Sequence, residues 1–316
     1  RAEARLVPDA GYELDTFRVV GLPRRPGLAL GRALVLASRA VRECGRIIER
    51  RRPDVVLGGG GFVAGPMVVA AARRRIPTAL TEADAHFGVA NRLAAPFAQR
   101  VFLSFPIEGR DGAKYRVTGR PVHARAAPPA RDEARRRLQL PREGPVLLVF
   151  GGSQGAQALN EFAVDAFGSN GPAVLHLAGE RHVGSLRARV SRQDYRLFGY
   201  VEEFGAALAA SDLALARAGG SVWDLAAAGL PAVLVPSPNV TADHQTKNAR
   251  HFERVGAAVV VPEDELGTRG RPLIDDLLGD EPRRGAMADA MRSVAKPNAA
   301  EEIAEELIEL GGTVHR

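Results

Sequence analysis

The chain has 316 residues, 46% of them hydrophobic and 25% charged, with a single cysteine, Cys44. This composition excludes a disordered chain, an internal disulfide framework and a Cys-clustered metal site, and the length allows about two domains at roughly 150 residues each. The net charge of +6 is uneven: the first 120 residues carry 21 basic against 11 acidic side chains, and the remainder 22 against 26. A basic half suggests an anionic surface or ligand, but no nucleic-acid motif or aromatic–basic interleaving accompanies it, so no nucleic acid is expected. No apolar run approaches the roughly 18 residues of a membrane span. The start, Arg1-Ala2-Glu3-Ala4-Arg5, lacks the apolar core of a signal peptide, and one cysteine fits a reducing cytoplasm.

In chain order, a basic segment comes first: Arg24-Arg25-Pro26, then Leu28, Leu30, Leu34, Val35 and Leu36 interspersed with Arg32 and Arg39. Such a segment suits contact with anionic lipid, and equally suits leucines packed against a sheet with solvated arginines. The apolar run Asp54–Leu57 then leads into four glycines, Gly58–Gly61, and Ile76–Leu80 follows an Ala/Arg helix ending in Arg73-Arg74-Arg75. Gln99–Leu103, Tyr115–Thr118, Val146–Phe150, Ala173–Leu177, Leu213–Leu215, Ala232–Val235 and Ala257–Val261 continue the series. Each run is short and almost wholly apolar, as strands buried on both faces are. Strands alternating with helices predict α/β domains with parallel sheets and right-handed crossovers. An Ala/Pro-rich stretch, Ala124–Pro129, and a charged helix over Asp132–Leu140 mark a seam between two doubly wound domains. The last segment, Asn298–Leu310, is an acidic helix with Ile303, Leu307 and Leu310 on one face.

Two strand-to-glycine turns carry most of the chemical information: Leu57–Pro66 and Val149–Asn160. Glycine lets a backbone approach a ligand closely, and free N–H groups at a helix start favour an anion. Ser153 and Gln154 add side-chain donors to the second turn. Glycine punctuation alone is common, but both turns lie at carboxyl ends of strands, the edge where open α/β sheets bind ligands. A third segment, Ala216–Ala249, reads as strand, Gly-rich turn and helix, with Gly229 as the helix stop. Its Asp224 can accept from ribose hydroxyls or merely complement the helix dipole. Gln245 and Asn248 lie one turn apart and can face one ligand.

These stretches, with Ala4–Pro8, Pro53–Gly58, Gly60–Pro66, Gly88–Arg92, Gly119–Val122, Arg217–Gly219, Gly229–Pro231 and His244–Ala249, occur in the order found in the MurG family, which the chain resembles from near residue 4 to about residue 310. The resemblance implies an inverting glycosyltransferase of GT-B fold, two Rossmann-like domains facing a cleft, that moves N-acetylglucosamine from UDP-N-acetylglucosamine to a lipid-linked muramyl-pentapeptide. On it, residues 1–122 form the acceptor- and membrane-side domain, 123–297 the donor domain, and 298–316 a helix returning to the first domain. Ser153 and Gln154 match the donor-diphosphate turn, and Tyr200 with the Val201 main chain matches the uracil-binding turn. Gly219, Gly220, Ser221, Val222, Trp223 and Asp224 match the segment along ribose and diphosphate, and Gln245 a contact to the donor sugar. Asp84 and His123 complete the donor set. Gly59, Gly60, Gly61, Gly65 and Asn91 match the acceptor side. The implied partners are UDP-N-acetylglucosamine, an undecaprenyl-diphosphate-linked acceptor and the anionic cytoplasmic face of the bacterial membrane, to which the protein attaches peripherally.

Several positions depart from the family pattern. The family's first strand and its Gly-rich turn ending in His have no counterpart, so the chain is expected to be part of a longer protein. HEQN reads Thr81-Glu82-Ala83-Asp84, and Asn-Pro-Val-Arg reads Arg120-Pro121-Val122-His123. Asp224 stands where the family has a glutamate. Glu82, Asp84 and His86 remain as candidates for the general base, Glu82 and His86 foremost. Glu82-Ala83-Asp84 offers too few carboxylates for a metal clamp, so neither metal nor cofactor is expected. The altered segments leave open a diacylglycerol-type glycosyltransferase or a catalytically silent UDP-sugar-binding subunit.

Overall fold

The computed structural model describes residues 3–19, 28–122 and 129–312. His123, Arg24-Arg25-Pro26 and most of the Ala/Pro linker lie outside them, as do the side chains of Leu28, Leu30, Arg32 and Leu34. The chain divides into two units: Arg1–Ala83 with Phe87–Val117 and Glu301–Arg316, and Asp84–His86 with Thr118–Ala300.

The first unit runs α1 (Glu3–Asp9), α2 (Leu28–Arg51), β1 (Val56–Gly58), α3 (Gly61–Arg73), β2 (Thr78–Glu82), α4 (Val89–Ala94), β3 (Arg100–Leu103) and β4 (Tyr115–Val117). Its described strands form a parallel sheet in the order β1-β2-β3-β4. Period-two alternation sends neighbouring residues to opposite faces. Leu80, Val101 and Leu103 pack with Val68 of α3 and Ala94 of α4, while Ala79 and Phe102 pack on the other face with Ile303. Cys44 and Ile48 seat α2 on Ala70 and Ala71 of α3.

The second unit contains α5 (Arg131–Arg137), β5 (Val146–Phe150), α6 (Gln157–Phe167), β6 (Ala173–Leu177), α7 (Glu180–Arg187), β7 (Tyr195–Phe198), α8 (Phe204–Ala209), β8 (Leu213–Ala216), α9 (Val222–Ala228), β9 (Ala232–Leu234), α10 (His244–Arg254), β10 (Ala258–Val260), α11 (Leu266–Gly279) and α12 (Glu281–Val294). Its parallel sheet has the order β10-β9-β8-β5-β6-β7. The chain winds outward from β5 through β6 to β7, then returns to β8 on the other side of β5. That reversal is a topological switch point, and ligands of open α/β sheets bind at the carboxyl ends of the strands that flank it. Leu147, Val149, Leu159, Ala163 and Phe167 are buried in the core that holds α6 against β5.

Two elements differ from the sequence reading. β7 was not foreseen, because Arg196 interrupts what would otherwise be an apolar run, as an edge strand tolerates. The helix expected over Asp132–Leu140 stops at Arg137, since Gln139 takes a left-handed conformation at φ 55°.

The final helix, α13 (Ala299–Gly312), presents Ile303, Leu307 and Leu310 to Ala79 and Phe102. Glu306 accepts from Arg100 Nε at 2.7 Å and from Arg116 Nε at 3.1 Å. Among the described residues no helix is long and apolar enough to cross a membrane.

Candidate active site

A cavity of about 630 Å³ opens at the switch point of the second unit. The turn after β5 contributes Gly152 and Ser153, the turn after β7 contributes Tyr200 and Val201, and the segment after β8 contributes Ser221 and Asp224. Five of these six, Ser153, Tyr200, Val201, Ser221 and Asp224, are expected donor-site residues; they come from three separate stretches of sequence and meet at one place.

The glycines of the turn after β5 have different jobs. A Cβ on Gly151 would strike the backbone of Ala156, and one on Gly155 (φ 72°) would strike the Ala178 carbonyl. Those two let the turn fold tightly against itself and against the end of β6. Gly152 has φ 87° and open space around its Cα, so it is the glycine that faces the cavity. α6 begins behind this turn without a side-chain cap, leaving backbone N–H groups for an anion.

The remaining donor-side candidates lie elsewhere in this unit. Gln154 is exposed, and its carbonyl accepts from Arg181 Nε at 3.1 Å. Val222 and Trp223 are buried, and Trp223 packs edge-on against Phe252. They anchor α9 and so hold Asp224, which is half-buried at the cavity wall. Gly219 has open space around it, whereas Gly220 is filled by the Arg120 guanidinium. Gln245 Oε1 accepts from Ser237 N at 2.9 Å. Asp84 is clasped by Asn248 Nδ2 at 3.0 Å and by His244 Nδ1 at 2.8 Å, and Asn248 Oδ1 also takes the Ala85 N–H. Asn248 is therefore a buried clasp for residues 84–86, not a companion of Gln245 toward a ligand. His86 Nδ1 lies 3.4 Å from Lys247 Nζ.

Sequence reasoning missed Phe150 and Phe204, which also line the cavity and meet edge-to-face with centroids 5.2 Å apart. The aromatic closing the segment Phe198–Phe204 was the available signal.

In the first unit, Gly60 (φ 85°) and Gly61 (φ 69°) bend the chain into α3, and Gly59, Gly61 and Gly65 have open space around them. Glu82 is buried, and its Oε2 accepts from Gly88 N and Asn91 Nδ2, both at 2.8 Å. That makes Glu82 a brace for the start of α4, a geometry that gives no support to its expected role as general base. Asn91 Nδ2 donates also to Thr81 O at 2.9 Å, which fixes the amide orientation. Asn91 Oδ1 is then a buried acceptor with no partner among the described residues. No group of three or more His, Cys, Asp or Glu suited to a metal occurs among them either.

The glycosyltransferase family 28 C-terminal domain matches residues 146–307, and the family 28 N-terminal domain matches residues 1–103. A UDP-N-acetylglucosamine–N-acetylmuramyl-(pentapeptide) pyrophosphoryl-undecaprenol N-acetylglucosamine transferase from Salinibacter ruber is 40% identical, covering 98% of this chain and 86% of its own. The chain belongs to the MurG family of glycosyltransferases. A relative of the same description from Rubrobacter xylanophilus is 39% identical over 98% of this chain and 92% of its own. The crystal structure of Acinetobacter baumannii MurG superposes with a TM-score of 0.74 at 25% identity, covering 97% of this chain and 87% of that one. The Rossmann-like sheets and GT-B class read from the sequence agree with these MurG relatives.

Proposed function

We propose that this MurG-family chain transfers N-acetylglucosamine from UDP-N-acetylglucosamine to an undecaprenyl-diphosphate-linked muramyl-pentapeptide. The observation that carries the reading is the convergence of Ser153, the Tyr200–Val201 turn and Asp224 around one switch-point cavity. The Val201 main chain and Tyr200 take the uracil, Asp224 accepts from the ribose hydroxyls, and Gly152, Ser153 and the uncapped start of α6 receive the diphosphate. Charge develops on that diphosphate as the acceptor hydroxyl, its proton passing to a general base, bonds to the anomeric carbon and UDP leaves. Preorganised N–H and O–H donors there stabilise the transition state more than the ground state.

On the acceptor side, the open glycines at the start of α3 suit a diphosphate. Asn91 Oδ1 is an acceptor, so it suits a hydroxyl or amide N–H of the acceptor sugar and not a phosphate oxygen. The first unit also exposes Phe62, Val63, Val89, Leu93 and Phe97. Together with the basic excess of the first 120 residues, these side chains support peripheral attachment to an anionic membrane surface on the cytoplasmic side.

The test is transfer of labelled N-acetylglucosamine by the full chain onto undecaprenyl-diphosphate-muramyl-pentapeptide and, separately, onto diacylglycerol. Product with the first acceptor alone is expected. Product with diacylglycerol alone, or UDP-sugar binding without any transfer, contradicts the reading.

A further inference from the structure

The cavity assigned to the donor has a charge problem. Its titratable wall groups of strong charge are Glu202, Glu203 and Asp224, three carboxylates, with no lysine or arginine among the lining residues. Hydroxyls and backbone N–H groups orient a diphosphate but bring no net charge to it. Most nearby arginines are already engaged. Arg137 pairs with Glu133 and Glu203. Arg217 pairs with Glu263 and donates to the carbonyls of Val235 and Pro236. Arg181 directs Nε to the Gln154 carbonyl.

Arg120 is different. It belongs to the second unit, is exposed, and makes no ion pair or hydrogen bond among the described residues. Its guanidinium occupies the space that a Cβ on Gly220 would fill, with Nη1 and Cζ in direct overlap and Nη2 at 3.0 Å from that position. Gly220 immediately precedes Ser221, which lines the cavity, and follows Gly219, which has open space around it. The glycine at 220 is thus explained by the arginine laid against it, not by a ligand.

We propose that Arg120 is the cation that binds the donor diphosphate, held at the Gly219–Ser221 turn by the absence of a side chain at Gly220. A guanidinium remains protonated throughout the working range and presents paired N–H donors that match two phosphate oxygens. It offsets the carboxylates of the cavity wall and holds the negative charge of UDP as it departs. The inference rests on the donor-site reading above.

Calorimetric titration with two probes, UDP and uridine, tests it. Arg120→Ala is expected to weaken UDP binding about 10- to 100-fold, the range for a charge-assisted hydrogen-bonded contact, and to leave uridine binding and the thermal midpoint unchanged. Arg120→Lys recovers part of the loss, and Gly220→Ala, which displaces the guanidinium but keeps its charge, gives an intermediate loss. Asp224→Ala, by contrast, weakens UDP and uridine alike. If Arg120→Ala binds UDP as wild type does while Asp224→Ala does not, the donor site stands and the assignment of Arg120 is overturned. Equal loss of UDP and uridine in Arg120→Ala also overturns it, because that marks a structural role. If neither variant changes UDP affinity, the donor-site reading falls and this proposal with it.

Discussion

His176 Nε2 lies 3.0 Å from Asn160 Oδ1 in the core of the second unit, with both residues buried. Asn160 Nδ2 donates to Ala178 O at 2.9 Å, so Asn160 Oδ1 must accept, and His176 carries its proton on Nε2. His176 Nδ1 then accepts from the Tyr195 hydroxyl at 2.8 Å. The chain of hydrogen bonds ends on the carbonyl against which Gly155 packs, linking β6 and β7 to the glycine turn of the cavity. Asn160→Ala leaves His176 Nε2–H and one hydrogen bond to Ala178 O unmade. A loss of about 1–3 kcal/mol in unfolding free energy is expected, the usual cost of an unsatisfied buried group. Urea denaturation checks the stability, and UDP titration of the same variant is expected to show weaker binding because the turn loses its backing.

His176 also gives stability a pH dependence. Burial holds its pKa at about 3, against 6.5 for an unperturbed histidine. Below pH 6.5 the unfolded chain takes up a proton that the native protein refuses until about pH 3. The native state therefore keeps its full stability with respect to this group above pH 6.5 and loses it as the pH falls toward 3. The slope is up to about 1.4 kcal/mol per pH unit. Denaturation curves at pH 7, 6 and 5 are expected to show this loss in the wild type and to show a shallower one in His176→Gln. Equal slopes in both proteins would contradict it.

Arg135 sets the geometry before β5. It is 1% exposed and donates to the carbonyls of Ala210, Arg142 and Gly144 at 2.9–3.0 Å and to Asp212 Oδ2 at 2.9 Å. Asp212 Oδ2 in turn accepts from Val146 N at 2.8 Å, the first residue of the strand that delivers the glycine turn. Arg135→Ala is expected to cost about 3–5 kcal/mol, as breaking a buried ion pair does. Arg135→Lys rescues only part of this, because an ammonium cannot span the same set of acceptors. Thermal or chemical denaturation of the two variants distinguishes these outcomes.

The pattern of what the sequence disclosed has physical causes. Val146–Phe150 and Ala173–Leu177 are central strands covered on both faces, so their apolar runs coincide with the observed elements residue for residue. The alternation of strands and helices fixes parallel sheets, and the β5 turn announces itself by its glycines. What each glycine does is not written in a motif: only the folded chain shows that Gly152 faces open space while Gly155 meets Ala178 and Gly220 meets Arg120. For the same reason Glu82 and Asn248 looked available for chemistry. Their commitments to Asn91 and Gly88, and to Asp84, Ala85 and Ala218, are contacts between segments that sequence spacing does not report.

Cys44 gives an independent check on the first unit. Burial is the main cause that pushes its thiol up to about 11, with Glu43 adding to it, and the side chain packs on α3 with no exposure. Only a thiolate reacts readily with alkylating agents. The native protein at pH 7.5 is expected to resist iodoacetamide while the urea-unfolded chain reacts fully. Rapid native labelling would contradict the packing of α2 on α3.

The central claim is that the nucleotide sits at the switch point of the second unit. Crystals of the full chain grown with UDP measure this directly. The account predicts difference density for uracil against the Tyr200–Val201 turn, for ribose at Asp224, and for the diphosphate at Gly152 and Ser153. Ordered UDP at any other place, the start of α3 included, would contradict it.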